Sequence, residues 1–109
     1  MLLSKENITL TNLIIIQQAL GAGSVTAVKV FNILRDADLI EKVFERGSLS
    51  KVIEAKYVDK ILTFDSQKAE KIIDDCIKNK IHIITICDTE YPERLRNICD
   101  SPIVLYIKG

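Results

Sequence analysis

The sequence has 109 residues and a mass of 12.3 kDa, which allows one domain, or one small domain and a piece of another. Hydrophobic residues make up 48% and charged residues 28%, a globular composition that excludes an intrinsically disordered chain. The 15 basic and 15 acidic residues cancel, and they also cancel locally, with 8 of each in residues 1–65 and 7 of each in residues 66–109. This balance argues against a strong, autonomous DNA-binding protein, which usually shows clustered lysines and arginines.

Two helices are predicted in the first third of the chain. The first is expected to begin near Thr9 or Thr11, whose hydroxyls can cap free amides, and to stop at the glycines that follow residue 20. Ser24 is then placed to cap a second helix. The apolar positions at helical spacing are Leu13, Ile16 and Leu20 in the first helix and Ala27, Val30, Phe31 and Leu34 in the second.

Three more helical segments are predicted before residue 80. A short third helix is expected to close with Gly47 in the C′ position, and Asp65 or Ser66 is expected to cap the fifth and clearest helix. The fourth segment ends in residues 58–62, which either continue its helix or form a separate turn. The stripes are Leu39, Ile40, Val43 and Phe44 in the third segment, Leu49, Val52, Ile53 and Tyr57 in the fourth, and Ala69, Ile72, Ile73, Cys76 and Ile77 in the fifth.

The period of the apolar residues changes after residue 80. Residues 81–86 and 103–107 are short β-branched runs that predict two strands, and Pro92 suits the first position of a short helix between them. The connection over residues 88–102 fits a parallel crossover better than a hairpin. Both strands are apolar on both faces, as is typical of a parallel sheet covered by helices. We therefore predict a mainly α fold, with a helical domain over residues 1–80 and the opening β-α-β of an α/β domain over residues 81–109.

Two strands alone do not make a stable sheet of this kind, because each keeps an open edge and an uncovered face. This mismatch predicts that the sequence is a fragment of a longer protein. The alternative is an intact small protein whose strands pair with a second copy of itself.

A glycine-containing turn between the first two predicted helices is one candidate site. Residues 19–27 read ALGAGSVTA, a G-x-G-x-x-x-A spacing that resembles the hairpin of helix-hairpin-helix modules. Glycines permit a tight turn, and free amides at the start of the second helix can hold a phosphate. The candidate nucleic-acid-binding residues are therefore Gly21, Gly23, Ser24 and Lys29. The alternative is a plain corner between two core helices, which is favoured by the neutral charge and by the absence of proline at Leu20.

The sequence offers no catalytic residue and no cofactor site. It lacks a dinucleotide fingerprint, a Walker motif and a G-x-S-x-G setting for any serine. Arg94 and Arg96 are expected on a solvated face, because neighbouring carboxylates neutralise them.

The three cysteines, Cys76, Cys87 and Cys99, are odd in number and form no C-x-x-C pair, which indicates reduced thiols in a cytosolic protein. Their spacing does not favour a zinc site with His82. No apolar run approaches the ~20 residues that cross a bilayer, and no secretory signal is recognisable. We therefore expect a cytoplasmic protein with no metal and no membrane partner.

A second candidate region lies at the end of the sequence. Residues 83–109 read IITICDTEYPERLRNICDSPIVLYIKG and resemble the DNA-processing protein A (DprA/Smf) family. The family pattern there is an apolar strand, an acidic residue, Tyr-Pro, a leucine three residues later, an Asp-x-Pro turn, and an apolar strand that ends in Lys-Gly. The matching residues are Asp88, Tyr91, Pro92, Leu95, Ile98, Asp100, Pro102, Leu105, Lys108 and Gly109.

The resemblance implies a fold and a function. Proteins of this family carry an N-terminal SAM-like or helix-hairpin-helix-like domain, with which residues 1–80 agree in position and type, followed by a Rossmann-like α/β domain. They bind single-stranded DNA, help to load RecA onto it during natural transformation, and dimerise. The expected partners of the full-length protein are therefore single-stranded DNA, RecA and a second copy. The glycine- and arginine-bearing loop of the family has no matching position, so no DNA-binding residue is carried over from it.

The sequence therefore favours a non-enzymatic piece of a DNA-processing protein, mainly an interaction or positioning module. In that reading Tyr91, Pro92 and Pro102 are structural, because proline fixes φ and sets up the turn before the second strand. One alternative is the N-terminal part of a Rossmann-like nucleotide-binding or nucleotide-processing enzyme. Another is a self-association module without DNA binding.

Overall fold

A computed structural model describes residues 5–21, 24–96 and 101–108 of the chain. These residues form a mainly helical structure with a small antiparallel sheet. In chain order the elements are α1 (Lys5–Leu20), α2 (Val25–Asp36), a 3-10 turn (Ile40–Lys42), α3 (Arg46–Leu49), α4 (Ala55–Thr63), α5 (Ser66–Lys78), β1 (Ile81–Thr85), α6 (Glu93–Arg96) and β2 (Val104–Lys108). No helix within the described ranges is long and apolar enough to span a membrane.

The structure confirms α2 and α5 with their caps. Ser24 accepts a hydrogen bond from the Ala27 amide at the start of α2, and Asp65 accepts one from the Gln67 amide at the start of α5. The predicted start of α1 near Thr9 is wrong, because α1 already begins at Lys5. No glycine or proline occurs in residues 5–8 to interrupt the helix there.

Residues 37–54 form tighter turns than the sequence predicts. Gly47 lies inside the four-residue helix α3 and does not close a longer helix. Leu49 and Ile53 are both buried, and the amide of Ile53 donates to the Leu49 carbonyl at 3.0 Å. This turn brings the two side chains to the core in a short length of chain, so α4 begins only at Ala55.

The hydrophobic core is continuous from the helices to the sheet. Helix α1 is its centre, since four successive residues, 13–16, are at most 1% exposed and α2, α4 and α5 all contact this helix. Ile84, Ile103 and Val104 belong to the same buried cluster as the helical side chains. Division into domains at residue 80 stays a prediction, and in the described residues one core spans that position.

The two strands pair antiparallel, so the predicted parallel crossover is wrong. Thr85 lies opposite Val104 and Ile81 opposite Lys108. The Ile86 amide also donates to the Ile103 carbonyl at 2.9 Å, so the chain leaves β1 and enters β2 at the same end of the sheet. The turn that Asp88 closes after β1 and the hydrogen bond from the Tyr91 hydroxyl to the Pro102 carbonyl hold the start of β2 beside the end of β1.

Candidate functional site

The glycine turn between α1 and α2 is the first candidate. Gly21 has a φ of 102° and its amide donates to the Gln17 carbonyl at 2.9 Å, which ends α1 with a residue in the left-handed region. Only glycine adopts this φ without strain. Ala22 and Gly23 lie outside the described residues. The predicted role of Gly23 in phosphate binding therefore stays a prediction.

Ser24 joins the end of α1 to the start of α2. Its Oγ accepts from the Ala27 amide at 3.0 Å and donates to the Leu20 carbonyl at 3.1 Å. The hydroxyl is therefore already engaged by two main-chain groups of the turn. Any phosphate held here would rely on the remaining amides at the start of α2.

We predict that Ser24→Ala lowers the free energy of unfolding by about 1 kcal/mol, because a helix loses its N-cap. Urea unfolding followed by circular dichroism measures the change. Ser50→Ala, at an exposed position outside any helix, is the matched control and is expected to change stability by less than about 0.5 kcal/mol. Equal effects of the two changes would contradict the capping role.

Lys29 lies apart from the glycine turn. It is exposed on α2, five residues after Ser24, which places the two about 140° apart around the helix axis. Its neighbours one turn away on either side are Val25 and Ile33, both exposed, and all three line one groove. The structure therefore brings Gly21 and Ser24 together, and it places Lys29 on a largely apolar surface.

The second candidate is the segment between the strands, where Asp88 closes a turn. One oxygen of its carboxylate accepts from the Thr85 amide at 2.8 Å, and its own amide donates to the Thr85 carbonyl at 2.9 Å. The Tyr91 amide donates to the Asp88 carbonyl at 3.2 Å and continues the turn. Asp88 thus provides hydrogen-bond partners for the amide and the carbonyl of Thr85, the two main-chain groups of Thr85 that point away from β2.

Tyr91 ties this turn to the start of β2. Its side chain is 2% exposed, and its hydroxyl donates to the Pro102 carbonyl at 2.6 Å. The ring is part of the continuous core. A tyrosine buried this deeply needs a partner for its hydroxyl, and Pro102, eleven residues later, supplies it. The Tyr-Pro and Asp-x-Pro parts of the family motif therefore meet in space.

Arg96 contributes to the same unit, contrary to the predicted solvated face. Its side chain is only 31% exposed, and its guanidinium donates to the Ile86 carbonyl at 2.6 Å and to the Asp88 carbonyl at 2.5 Å. It also lies over the Tyr91 ring, 5.2 Å from the centroid. Arg94 is exposed, as predicted. The two arginines differ because residues two apart on a helix point in different directions, and only Arg96 points at the turn.

The remaining motif residues are partly described. Leu95 and Leu105 are half-buried and pack against the core, and the Leu95 amide donates to the Pro92 carbonyl at 3.0 Å. Asp100 and Gly109 lie outside the described residues. The buried Ser101 Oγ and Arg96 Nε have no hydrogen-bond partner among the described residues.

Gln17 is a buried polar residue that sequence reasoning missed. It is 2% exposed, its Nε2 donates to the Val104 carbonyl at 3.2 Å, and its Oε1 accepts from the Val104 amide at 2.9 Å. Both hydrogen bonds lie on the edge of β2 that faces away from β1, so the side-chain amide replaces a neighbouring strand at this residue. The signal in the sequence was a glutamine within the apolar stripe of a predicted helix, which indicates a buried polar side chain.

The two cysteine thiols in the described residues, those of Cys76 and Cys87, are poor candidates for nucleophiles, and Cys99 lies outside the described residues. Burial raises the pKa of the Cys76 thiol, and the nearby Asp75 carboxylate raises it further. Loss of hydration also raises the pKa of Cys87, and the Asp88 carboxylate raises it further, against the opposing effect of Arg35 and Arg96. Both thiols are therefore mainly protonated near neutral pH, whereas thiol chemistry requires the thiolate.

The described part of the chain holds no cluster of three or more histidine, cysteine, aspartate or glutamate side chains suited to a metal ion. His82 instead lies 3.2 Å from the Glu90 carboxylate on the exposed side of β1. No protein-family model, no curated protein and no solved structure matches this chain.

Proposed function

We propose that this chain is the N-terminal part of a DNA-processing protein of the DprA/Smf family, which binds single-stranded DNA and assists RecA loading during natural transformation. Residues 1–80 act in it as a SAM-like or helix-hairpin-helix-like interaction or positioning module. The two strands belong to a Rossmann-like α/β domain, and the function is non-enzymatic and cytoplasmic.

One observation carries this proposal: three of the motif residues that the structure describes, Asp88, Tyr91 and Pro102, are joined by hydrogen bonds through Tyr91. Asp88 closes the turn after β1, and Tyr91 reaches the Pro102 carbonyl at the entrance to β2. These contacts build the connection between the two strands, which is the structural role that the resemblance gives to the motif, and in this way they support the proposal.

The balance of charges supports a positioning role over a role as the main DNA-holding surface. The 8 basic and 8 acidic residues of residues 1–65 cancel, so this part of the chain carries no net positive charge with which to neutralise phosphates. Ser24 uses its hydroxyl within the turn, and Lys29 lies between apolar side chains. The Gly21 turn stays a candidate for holding a single phosphate.

We predict that the 109-residue chain alone binds a labelled oligothymidylate with a dissociation constant of about 1 μM or weaker, typical of non-specific contacts. Fluorescence anisotropy at low and high salt measures this. The complete product of its gene is expected to bind more tightly and to speed RecA assembly on single-stranded DNA covered by single-strand-binding protein. The control is the same assembly reaction without that product.

The two halves of the proposal can fail separately. Tight binding by the 109-residue chain with a steep salt dependence would contradict a purely positioning role. Unchanged RecA assembly in the presence of the complete product would contradict the family assignment.

An open strand edge favours one further candidate, a self-association module. Because Val104 bonds outward to Gln17, the alternate residues Tyr106 and Lys108 also direct their main-chain groups away from β1, and these groups have no partner among the described residues. Such an edge can pair with a second copy. Sedimentation of a dimer with no affinity for oligonucleotide would support this function, and a monomer at all concentrations would oppose it.

A further inference from the structure

A groove of about 320 Å³ lies between α2 and residues 52–57. We call it the α2 groove. Its lining mixes five aliphatic side chains with four that carry polar atoms. The residues that line it are Val25, Thr26, Lys29, Val30, Ile33, Val52, Ile53, Glu54 and Tyr57.

The α2 groove gathers exposed apolar side chains in one place. Val25 is 42% exposed, Ile33 is 41% exposed, and Val52 faces them across the groove at 37%. Val25, Lys29 and Ile33 follow one another at intervals of four residues, so they share one side of α2. The other side of α2 is buried in the core. Helix α2 thus buries one apolar side and exposes Val25 and Ile33 on the other, where Val52 joins them in the groove. Exposed apolar side chains gathered in one place mark interaction sites.

The charge left uncompensated in the α2 groove is positive. Glu54 is offset by Lys56, whose Nζ lies 3.7 Å from its carboxylate. Lys29 makes no hydrogen bond or ion pair with any described residue, and it stands between Val25 and Ile33. An occupant that fits this surface is apolar along its length and carries a negative charge opposite Lys29.

We propose that the α2 groove docks an acidic amphipathic helix of a partner protein. Apolar side chains spaced at i, i+3 or i+4, and i+7 enter between α2 and residues 52–57, and one aspartate or glutamate of the helix pairs with Lys29. The inference rests on the interaction role proposed above and supplies the kind of partner for it. It does not rest on the family resemblance.

Two other classes of occupant fit this surface less well. Grooves for single-stranded nucleic acid combine several cations with free aromatic faces. Here the lining has one lysine and one aromatic residue, Tyr57, over whose ring Lys56 already lies at 5.0 Å. A surface for anionic lipid would need a polar face rich in lysine and arginine, which one lysine does not provide.

The test uses a display library of helical peptides with randomised surface positions, selected against the intact 109-residue chain. Enriched peptides are expected to carry three apolar residues at helical spacing with an acidic residue between them. Addition of such a peptide is expected to shift the methyl resonances of Val25, Ile33 and Val52. Enrichment of peptides without this pattern, or shifts at other methyl groups, would overturn the proposal.

Matched variants locate the site. Ile33→Glu is expected to weaken binding of the selected peptide at least about tenfold, as loss of a central apolar contact does. Ile77→Glu, at an exposed isoleucine on α5 outside the groove, is expected to leave binding unchanged. Equal loss with both variants would refute the α2 groove as the site, and circular dichroism checks that each variant is folded.

Charge reversal tests the role of Lys29. Lys29→Glu is expected to weaken the peptide about threefold to tenfold, and a peptide whose acidic residue is replaced by lysine is expected to recover part of that affinity. No recovery would contradict the ion pair. Loss of oligonucleotide binding with Ile33→Glu would point to nucleic acid as the occupant. The peptide-binding measurements involve neither RecA nor DNA, so the groove can fail while the proposed function holds, and the reverse.

Discussion

Replacing Tyr91 by alanine is expected to lower the free energy of unfolding by about 3–5 kcal/mol, the usual loss for truncating a large buried aromatic side chain. The ring is 2% exposed and lies in the continuous core, so its removal leaves a cavity beneath the strands. The Pro102 carbonyl also loses its hydrogen bond. Because single domains are stable by only about 5–15 kcal/mol, this variant is expected to be close to unfolding. Urea titration followed by circular dichroism measures the change.

Two companion variants separate the ring from its hydroxyl. Tyr91→Phe keeps the ring and removes only the hydrogen bond to the Pro102 carbonyl, so a loss of about 1–3 kcal/mol is expected. Phe44→Ala, at an aromatic residue that is 56% exposed, is the control and is expected to cost less than about 1 kcal/mol. A Tyr91→Ala variant as stable as the control would show that the motif does not hold the strand connection.

The sequence predicts elements well where a cap and a helical period coincide. Helices α2 and α5 are of this kind, since Ser24 and Asp65 each precede an unbroken apolar stripe and each bonds an amide of the first turn. Prediction is poorer between residues 37 and 54. There a turn buries both Leu49 and Ile53, although the helical spacing of the apolar residues predicts longer helices. That outcome depends on tertiary contacts, which local patterns do not contain.

The direction of strand pairing could not be derived from strand composition. Apolar residues on both faces are typical of buried parallel strands, yet here β1 and β2 pair antiparallel in the same core as the helices.

The candidate site was predictable only in part. Tyr91 and Pro102 were expected to be structural, and the hydrogen bond between them is a structural contact. Arg96 was misplaced because counting neighbouring carboxylates says nothing of carbonyls that the fold brings within reach, such as those of Ile86 and Asp88. Gln17 was missed because its partner, Val104, is 87 residues away in the sequence.

Gln17→Ala is expected to lower the free energy of unfolding by about 2–6 kcal/mol, because two buried main-chain groups of Val104 lose their partners at about 1–3 kcal/mol each. Gln67→Ala, at an exposed glutamine in the first turn of α5, removes the same atoms without this consequence. It is expected to change stability by less than about 0.5 kcal/mol.

Gln17→Glu separates the hydrogen bonds from simple filling of space, since it keeps the size of the side chain. A protonated carboxyl can still donate to the Val104 carbonyl and accept from the Val104 amide, whereas a carboxylate cannot donate. Burial raises the pKa of this carboxyl above its value in the unfolded chain, so the folded state binds more protons than the unfolded state. The variant is therefore expected to lose stability relative to the native chain as pH rises from about 4 towards 7. A constant difference between the two proteins over this range would show that the Gln17 side chain fills space and that its two hydrogen bonds to β2 contribute little.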